Sequence, residues 1–306
     1  MLNITGHKKI FFIISGLLML ASIVSLLIQG FNLDTDFAGG SAVTFKLGKD
    51  FTTADVEAIA SDVLGAKQKP SSVQKSEGNE VIIKFAFPGT LKDDDARNKF
   101  SDESIANMTT KLAEKYDTAE VIGRDKVLPS TGIELAKSAL WMSILAALAI
   151  LVYVTFRFEF TSGACAVLAL VHDVLILCGI YSIFRIAIDT NFIAAVLTVL
   201  GYSINATIII FDRIRENTRH AKKQSYSEIA NTSINQTIKR SINTTITTLL
   251  TIGMVYILGV TSIKVFALPI IIGIAVGTYS SICIAGTVWS TWKDAAVNSK
   301  AAKNAK

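Results

Sequence analysis

Long apolar runs separated by charged segments dominate the chain. A helix rises about 1.5 Å per residue, so roughly 20 apolar residues cross the hydrocarbon core of a membrane. Six runs predict six transmembrane helices: Ile10–Ile28, Leu135–Phe156, Gly163–Phe184, Asn191–Phe211, Ile242–Val260 and Val265–Trp289. The fifth run is the weakest because five threonines dilute it. The first run has the alternative interpretation of a cleaved signal peptide, but its length and the lack of a small-residue cleavage site favour a retained helix.

The polar segment 31–133 follows the first run and shows strand and helix patterns in turn. Alternating apolar positions predict strands, and apolar residues three or four apart predict helices. The order is βαββαβ: Ser41–Leu47, a helix after Thr53, Ser72–Lys75, Val81–Phe87, a helix over Ser101–Tyr116, and Ala119–Val127. The predicted fold class is a polytopic α-helical membrane protein with a ferredoxin-like α+β domain between its first and second transmembrane helices.

Basic residues divide the segments between the runs into two sets, and lysine and arginine concentrate on the cytoplasmic side of membrane proteins. One set contains Lys8, Lys9, Arg157, the 213–223 segment, Lys239, Arg240 and the lysines of the tail, whereas the other contains only Arg185 and Lys264. We therefore expect both termini in the cytoplasm. The predicted domains are a cytoplasmic N-terminus with the first helix (1–30), an extracytoplasmic α+β domain (31–133), helices two to six with a cytoplasmic loop at 212–239 (134–290), and a cytoplasmic tail (291–306).

Composition supports a membrane protein without a cofactor. The chain is 51% hydrophobic and 18% charged, with a formal net charge of +5. The basic residues lie beside the apolar runs, which favours membrane lipid over nucleic acid as their partner. The three cysteines lie inside apolar runs without metal-ligand or redox spacing, so we expect neither a metal nor a cofactor.

Asp173 lies near the middle of the third run, directly after His172. A carboxylate at that depth costs ~2.5–3.5 kcal/mol on insertion scales unless it finds a partner or water, so it is a functional candidate. A structural hydrogen bond or ion pair between helices is the alternative. No nucleophile motif accompanies the pair, so we do not expect an enzyme.

A polar stripe runs along the fifth predicted helix. Arg240, Thr244, Thr247 and Thr251 recur at helical spacing, and the fourth helix has a matching stripe of Thr198, Gly201 and Asn205. Two such stripes favour close packing and a hydrated path inside the bundle. Arg240 has the alternative role of an interfacial anchor.

At these residues the sequence resembles a known family. The stretch LGYSINATIIIFDRIREN (200–217), with VHDV before it and SINQTIKRSINTTITTLL after it, is similar to SecF-type protein-export membrane proteins of the SecD/SecF family and the RND superfamily. NLDTDFAGG (32–40) and IGIAVGTYSS (272–281) resemble further motifs of that family. The positions that match its signatures are Asp36, Gly39, Gly40, Asp212, Arg213, Arg215, Glu216 and Asn217.

The resemblance implies an accessory subunit of the Sec translocase in the bacterial cytoplasmic membrane. Such subunits pair with SecD, act beside the SecYEG translocon with YajC or YidC as further candidates, and use the proton motive force to promote export of secretory polypeptides. Alternative functions are half of an RND-type small-molecule exporter and a scaffold subunit that transfers no ion.

One position departs from the family pattern. Alanine occupies position 206, where the family has the aspartate of its proton relay, and Arg240 matches the arginine that pairs with it. In one explanation carboxylates of SecD carry the proton, with Asp173 and Arg240 completing the network. In a second, sodium is bound by neutral oxygens such as those of Asn205, Thr207 and Thr244. In the third, the chain is inactive in ion transfer.

Overall fold

The computed structural model describes residues 2–65, 69–76, 78–91, 93–221 and 224–304. In chain order the elements are α1 (Lys8–Gln29), β1 (Asn32–Leu33), α2 (Thr35–Ala38), β2 (Gly40–Leu47), α3 (Thr53–Leu64), β3 (Ser72–Lys75), β4 (Glu80–Ala86), α4 (Asp94–Tyr116), β5 (Ala119–Val127), α5 (Pro129–Arg157), α6 (Phe160–Ile183), β6 (Ala187–Ile188), α7 (Thr190–His220), α8 (Tyr226–Leu258), α9 (Thr261–Ser280) and α10 (Gly286–Asn304). A π-helical segment, Ser281–Ala285, joins α9 to α10.

Helices long and apolar enough to cross a membrane number six within the described residues. They are α1, α5, α6, α7, α8 and the continuous α9–α10 segment. The predicted number of spans is therefore confirmed. Large apolar side chains cover the outer surfaces of α1 and α5, as expected of helices that contact lipid.

The segment 212–239, predicted as a loop between two spans, is helical over most of its length, because both neighbouring helices extend into it. The last turns of α7 reach His220 and α8 begins at Tyr226, so only residues 221–225 connect them. Buried apolar residues continue along both extensions, including Ile214, Ile229 and Ile234, and their packing holds the polar sequence in helices. Lys222 and Lys223, which belong to the predicted basic segment, lie outside the described residues.

Strands β2 to β5 and helices α3 and α4 form a small α+β module after α1 and follow the predicted βαββαβ order. The four strands form one antiparallel sheet in the order β3-β4-β2-β5. Alternate residues of the central strands, such as Phe45 and Phe85, are fully buried against Met108 and Leu112 of α4. A separate pairing of β1 with β6 ties the chain after α1 to the start of α7.

Candidate functional site

Asp173 is 0% exposed in the middle of the helical bundle. One carboxylate oxygen, Oδ1, is hydrogen-bonded to Nδ1 of His172 at 2.9 Å. The other, Oδ2, accepts hydrogen bonds from the hydroxyls of Ser203 on α7 at 2.6 Å and Ser280 on α9 at 2.8 Å. A buried carboxylate needs such donors to offset its lost hydration, and here three helices supply them.

The hydrogen-bonded chain continues from His172 to α1. Its Nε2 lies 3.1 Å from the Ser15 hydroxyl, which lies 3.0 Å from the Tyr279 hydroxyl. Imidazole and hydroxyl groups can both donate and accept, so a proton could move along this chain by exchange of donor and acceptor roles. We call Ser15, His172, Asp173, Ser203, Tyr279 and Ser280 the buried cluster.

Close packing of α9 against α7 makes the buried cluster possible. A Cβ atom at Gly277 would lie 2.9 Å from Cβ of Ser203 and 3.4 Å from Oδ2 of Asp173. The π-helical segment begins directly after Ser280 and turns Ser281 toward α7, where its hydroxyl lies 2.9 Å from that of Thr207. Such single-turn π-helical segments inside an α-helix are frequent at functional sites.

The structure separates the remaining ion-coupling candidates from Asp173. Arg240, Asn205 and Thr244 are exposed, whereas Thr207 is buried against Ser281. Among the described residues, Arg240 forms no ion pair with any carboxylate, and its backbone carbonyl accepts a hydrogen bond from Thr244 at 2.8 Å. The expected network joining Asp173 to Arg240 is therefore not formed within this chain.

Two exposed stripes of small and polar residues lie on neighbouring helices, and we call them together the polar face. They comprise Ala194, Thr198, Gly201 and Asn205 on α7, and Arg240, Asn243, Thr244, Thr247 and Thr251 on α8. A hydrogen bond of 3.3 Å from Tyr202 to Thr248 joins the two helices. In the described part of α7 no large apolar side chain is exposed, unlike α1. Exposure of such a surface to lipid would be unfavourable.

The NLDTDFAGG motif lies where the α+β module joins the membrane helices. Asp36 accepts hydrogen bonds from the backbone nitrogen of Thr190 at 3.1 Å and from its hydroxyl at 2.8 Å, at the start of α7. Gly39 has φ +77°, and a Cβ there would lie 2.7 Å from the Pro129 ring. A Cβ at Gly40 would overlap the Phe85 carbonyl oxygen. The motif positions therefore fix the junction geometry.

A lysine links this junction to the sheet. Lys84 on β4 lies 2.8 Å from Asp34 and 3.9 Å from Asp36. Burial alone would lower the pKa of Lys84, but its hydrogen bond to Asp34 and the charges of Asp34, Asp36 and Asp189 outweigh burial, so its pKa is raised. The lysine therefore stays charged between the carboxylates at neutral pH.

The FDRIREN motif lies on the extension of α7 and connects three helices. Asp212 lies 3.5 Å from Arg157 at the end of α5, and Arg215 donates to the Arg157 carbonyl at 2.9 Å. Asn217 donates to Ser233 at 2.8 Å and to Gln236 at 2.9 Å on α8. The remaining motif pair, Arg213 and Glu216, forms an ion pair of 2.8 Å along α7. These contacts hold the helix ends together.

The fold and the buried cluster define a multi-pass membrane protein with an α+β module after its first span and a carboxylate inside its bundle. Residues 107–295, more than half of the chain, match the family described as "Protein export membrane protein SecD/SecF, C-terminal". The chain therefore belongs to the SecD/SecF family of protein-export membrane proteins. With its six apolar helices it is a membrane protein of the bacterial cytoplasmic membrane.

Curated relatives agree with this family over nearly the whole chain. Protein translocase subunit SecF of Sebaldella termitidis is 36% identical, over 93% of this chain and 89% of the relative. Protein translocase subunit SecDF of Bacillus subtilis is 34% identical, over 95% of this chain and 38% of the relative. The crystal structure of SecDF from Thermus thermophilus matches with a TM-score of 0.79 and 32% identity, over 96% of this chain and 39% of that one.

Proposed function

We propose that the chain is an accessory subunit of the Sec protein translocase that pairs with a SecD-type partner and uses the transmembrane ion gradient to promote polypeptide export. The observation that carries the proposal is the polar face, which this chain leaves uncovered in the middle of its membrane helices. This chain matches only 38–39% of the length of the SecDF relatives, so those relatives carry further residues in the same chain. A separate SecD-type subunit would supply the corresponding helices.

Close helix packing favours the polar face as the surface that the partner covers. Nothing lies within 4 Å of a Cβ built at Gly201, so a neighbouring helix has room to approach α7 there. Arg240 lies on the same face without a carboxylate partner among the described residues. A charged group inside a membrane is stable only with a partner or water. A SecD helix with an acidic group opposite Arg240 would cover the polar face and also pair with the arginine.

Ion coupling in this proposal combines that interface with the buried cluster. Because Ala206 cannot carry a proton, the titrating group beside Arg240 comes from the partner. Asp173 is a second protonatable group, linked through His172 and Ser15 toward α1. One charge crossing a potential of 100 mV supplies ~2.3 kcal/mol, which would drive movement of the α+β module.

The α+β module is proposed to lie outside the cytoplasm, with both termini inside. Its sheet order, β3-β4-β2-β5, supports a ferredoxin-like fold. The distribution of basic residues supports the orientation. In that arrangement the module contacts the translocating polypeptide beside SecYEG, with YajC or YidC as additional partners.

Replacement of Arg240 tests the proposal in cells depleted of their own SecF-type subunit and supplied with this chain and its SecD partner. Arg240→Gln removes the positive charge and is expected to abolish stimulation of export, measured by pulse–chase of precursor cleavage. Arg240→Lys, which keeps the charge, is expected to retain part of it. Equal precursor cleavage with and without the wild-type chain would refute the proposed function.

Imposed gradients distinguish ion transfer from scaffolding in inverted vesicles that contain both subunits. A proton gradient is expected to stimulate export in the wild-type pair. Stimulation by sodium alone would instead favour coordination by neutral oxygens. Alanine at position 206 cannot carry a proton, which supports the alternative of a scaffold subunit that transfers no ion. Stimulation of export that depends on neither gradient would establish this alternative.

A further inference from the structure

A cavity of about 330 Å³ lies at one end of the bundle, where the α5–α6 connection meets the end of α7, the start of α8 and α10. Its polar lining includes Glu159, Ser162, Arg215, Arg219 and Lys293. None of these side chains belongs to the buried cluster or to the polar face. The cavity therefore requires its own explanation.

The cavity opens at the surface of the membrane, whichever way the chain is oriented. Helices α5 and α6 both span the membrane, and only two residues connect them, so this connection lies at the membrane boundary. The apolar side chains of Phe156 and Phe160 beside it are 89% and 62% exposed. Inside the cavity, Tyr226 and Trp289 pack edge to face, and such aromatic residues are typical of headgroup depth.

Positive charge remains uncompensated in the cavity. Lys293 pairs with Glu159 at 2.8 Å, and the same carboxylate accepts a hydrogen bond from Trp289 at 3.0 Å. Partial burial would raise the pKa of Glu159, but the hydrogen bonds from Lys293 and Trp289 and the lysine charge outweigh it and lower that pKa. Glu159 is thus already neutralised by Lys293. The guanidinium of Arg215 contacts a backbone carbonyl, and Arg219 makes no hydrogen bond or ion pair with the described residues.

The side chain of Ser162 supports an anion site independently of the arginines. Ser162 is 4% exposed and lines the cavity, and its hydroxyl has no hydrogen-bond partner in the part of the chain that the structure describes. Ser162 lies in the first turn of α6, where no side chain caps the helix. The amide groups at the start of this 24-residue helix favour a negative ligand.

We propose that this cavity binds the phosphate group of an anionic phospholipid. The guanidinium groups of Arg215 and Arg219 and the hydroxyl of Ser162 would donate to its oxygens. The exposed rings of Phe156 and Phe160 would contact the acyl chains. A free phosphate would use the same donors, but the apolar surface beside the cavity favours the lipid.

Native mass spectrometry of the delipidated full chain in detergent tests the proposal with three probes: phosphatidylglycerol, phosphatidylcholine and inorganic phosphate. Phosphatidylglycerol is expected to bind about tenfold more tightly than phosphatidylcholine, because the choline group brings its own positive charge. Arg219→Gln should weaken phosphatidylglycerol about tenfold, the typical effect of one charge-assisted hydrogen bond. Ser162→Ala should weaken it by a smaller factor without lowering the melting temperature, since the hydroxyl has no partner to lose.

Lys239→Gln is the matched control, because Lys239 is exposed on α8 and does not line the cavity. It should change the affinity less than twofold. Equal weakening by Lys239→Gln, or equal affinity for the two lipids, would overturn the proposal. Inorganic phosphate that binds as tightly as phosphatidylglycerol and displaces it would overturn the lipid as the occupant and leave a site for a free anion.

Discussion

The buried cluster and the polar face both hold polar groups at membrane depth, but they differ in whether this chain itself supplies the partners of those groups. In the buried cluster, Asp173 is surrounded by donors from its own chain, so the cluster is complete in the isolated subunit. In the polar face, Arg240 and its neighbouring threonines are exposed and the arginine lacks a carboxylate partner among the described residues. A polar group that its own chain satisfies can stabilise the fold, whereas one left unsatisfied at this depth indicates a partner.

The two regions should respond differently to mutation. Changes in the buried cluster should first lower the stability of the subunit alone. Changes in the polar face should leave that stability unchanged and weaken the complex with SecD. Stability and association, measured on the same variants, therefore distinguish the two regions.

Gly201→Leu should have the largest effect, and on association only. Nothing lies within 4 Å of a Cβ at Gly201 in this chain, but a leucine there would hold a partner helix away from α7. Overpacking typically costs about 1–3 kcal/mol, which corresponds to a roughly tenfold to hundredfold loss of affinity for SecD. Copurification of the two subunits at graded expression would measure it.

Gly16→Leu is the control for this variant. Gly16 is exposed on α1 and also has nothing within 4 Å of a built Cβ, but it lies among lipid-facing leucines and isoleucines. It should leave copurification with SecD unchanged. Equal losses for both glycines would contradict the assignment of the polar face.

Asp173→Asn should have an intermediate effect, and on the subunit alone. The amide oxygen of asparagine can take the place of Oδ2 and accept from Ser203 and Ser280, but these two hydrogen bonds then lose the carboxylate charge that strengthens them. The difference between a charge-assisted and a neutral hydrogen bond is about 1 kcal/mol for each bond, and a melting curve in detergent would record it. Asp212→Asn, at an exposed ion pair worth about 0–1 kcal/mol, is the comparison. A melting temperature unchanged in Asp173→Asn would contradict the described hydrogen bonds.

Gly277→Ala should have the smallest of these effects. The added methyl group would lie 2.9 Å from Cβ of Ser203, so α9 must move away from α7. The alanine gains about 0.5–1 kcal/mol in helix propensity, which reduces a typical overpacking cost to a net loss of roughly 1 kcal/mol. Gly253→Ala on α8, with nothing within 4 Å, should be neutral or slightly stabilising in the same melting experiment. A Gly277→Ala protein as stable as Gly253→Ala would show that α9 packs less closely.

Hydrophobic periodicity was sufficient to predict the number of spans and the βαββαβ order, because both depend on local patterns. It also identified Asp173, since a carboxylate stands out in an apolar run. The partners of Asp173 were not predictable, because its two serines belong to different helices and lie far from it in sequence, 30 residues away for Ser203 and 107 for Ser280. Serine in an apolar run carries no signal of its partner until the helix neighbours and their rotation are known.

Two expectations from the sequence differ from the structure for the same physical reason. The 212–239 segment was predicted as a loop because its charged residues mask the buried apolar positions Ile214, Ile229 and Ile234. The stripe through Arg240 was expected to face the interior of the bundle, but its residues are exposed on α8, because periodicity gives a face and not the neighbour it meets. Tertiary packing decides both questions.

Photocrosslinking in intact membranes would show whether a SecD-type helix covers the polar face. A benzoylphenylalanine at position 247 replaces an exposed threonine of α8, and the same group at position 17 replaces an exposed leucine of α1. With both subunits present, the probe at position 247 should form a covalent adduct with SecD, and the probe at position 17 should not. Adducts to SecD of equal yield from both positions, or none from position 247, would show that SecD does not cover the polar face.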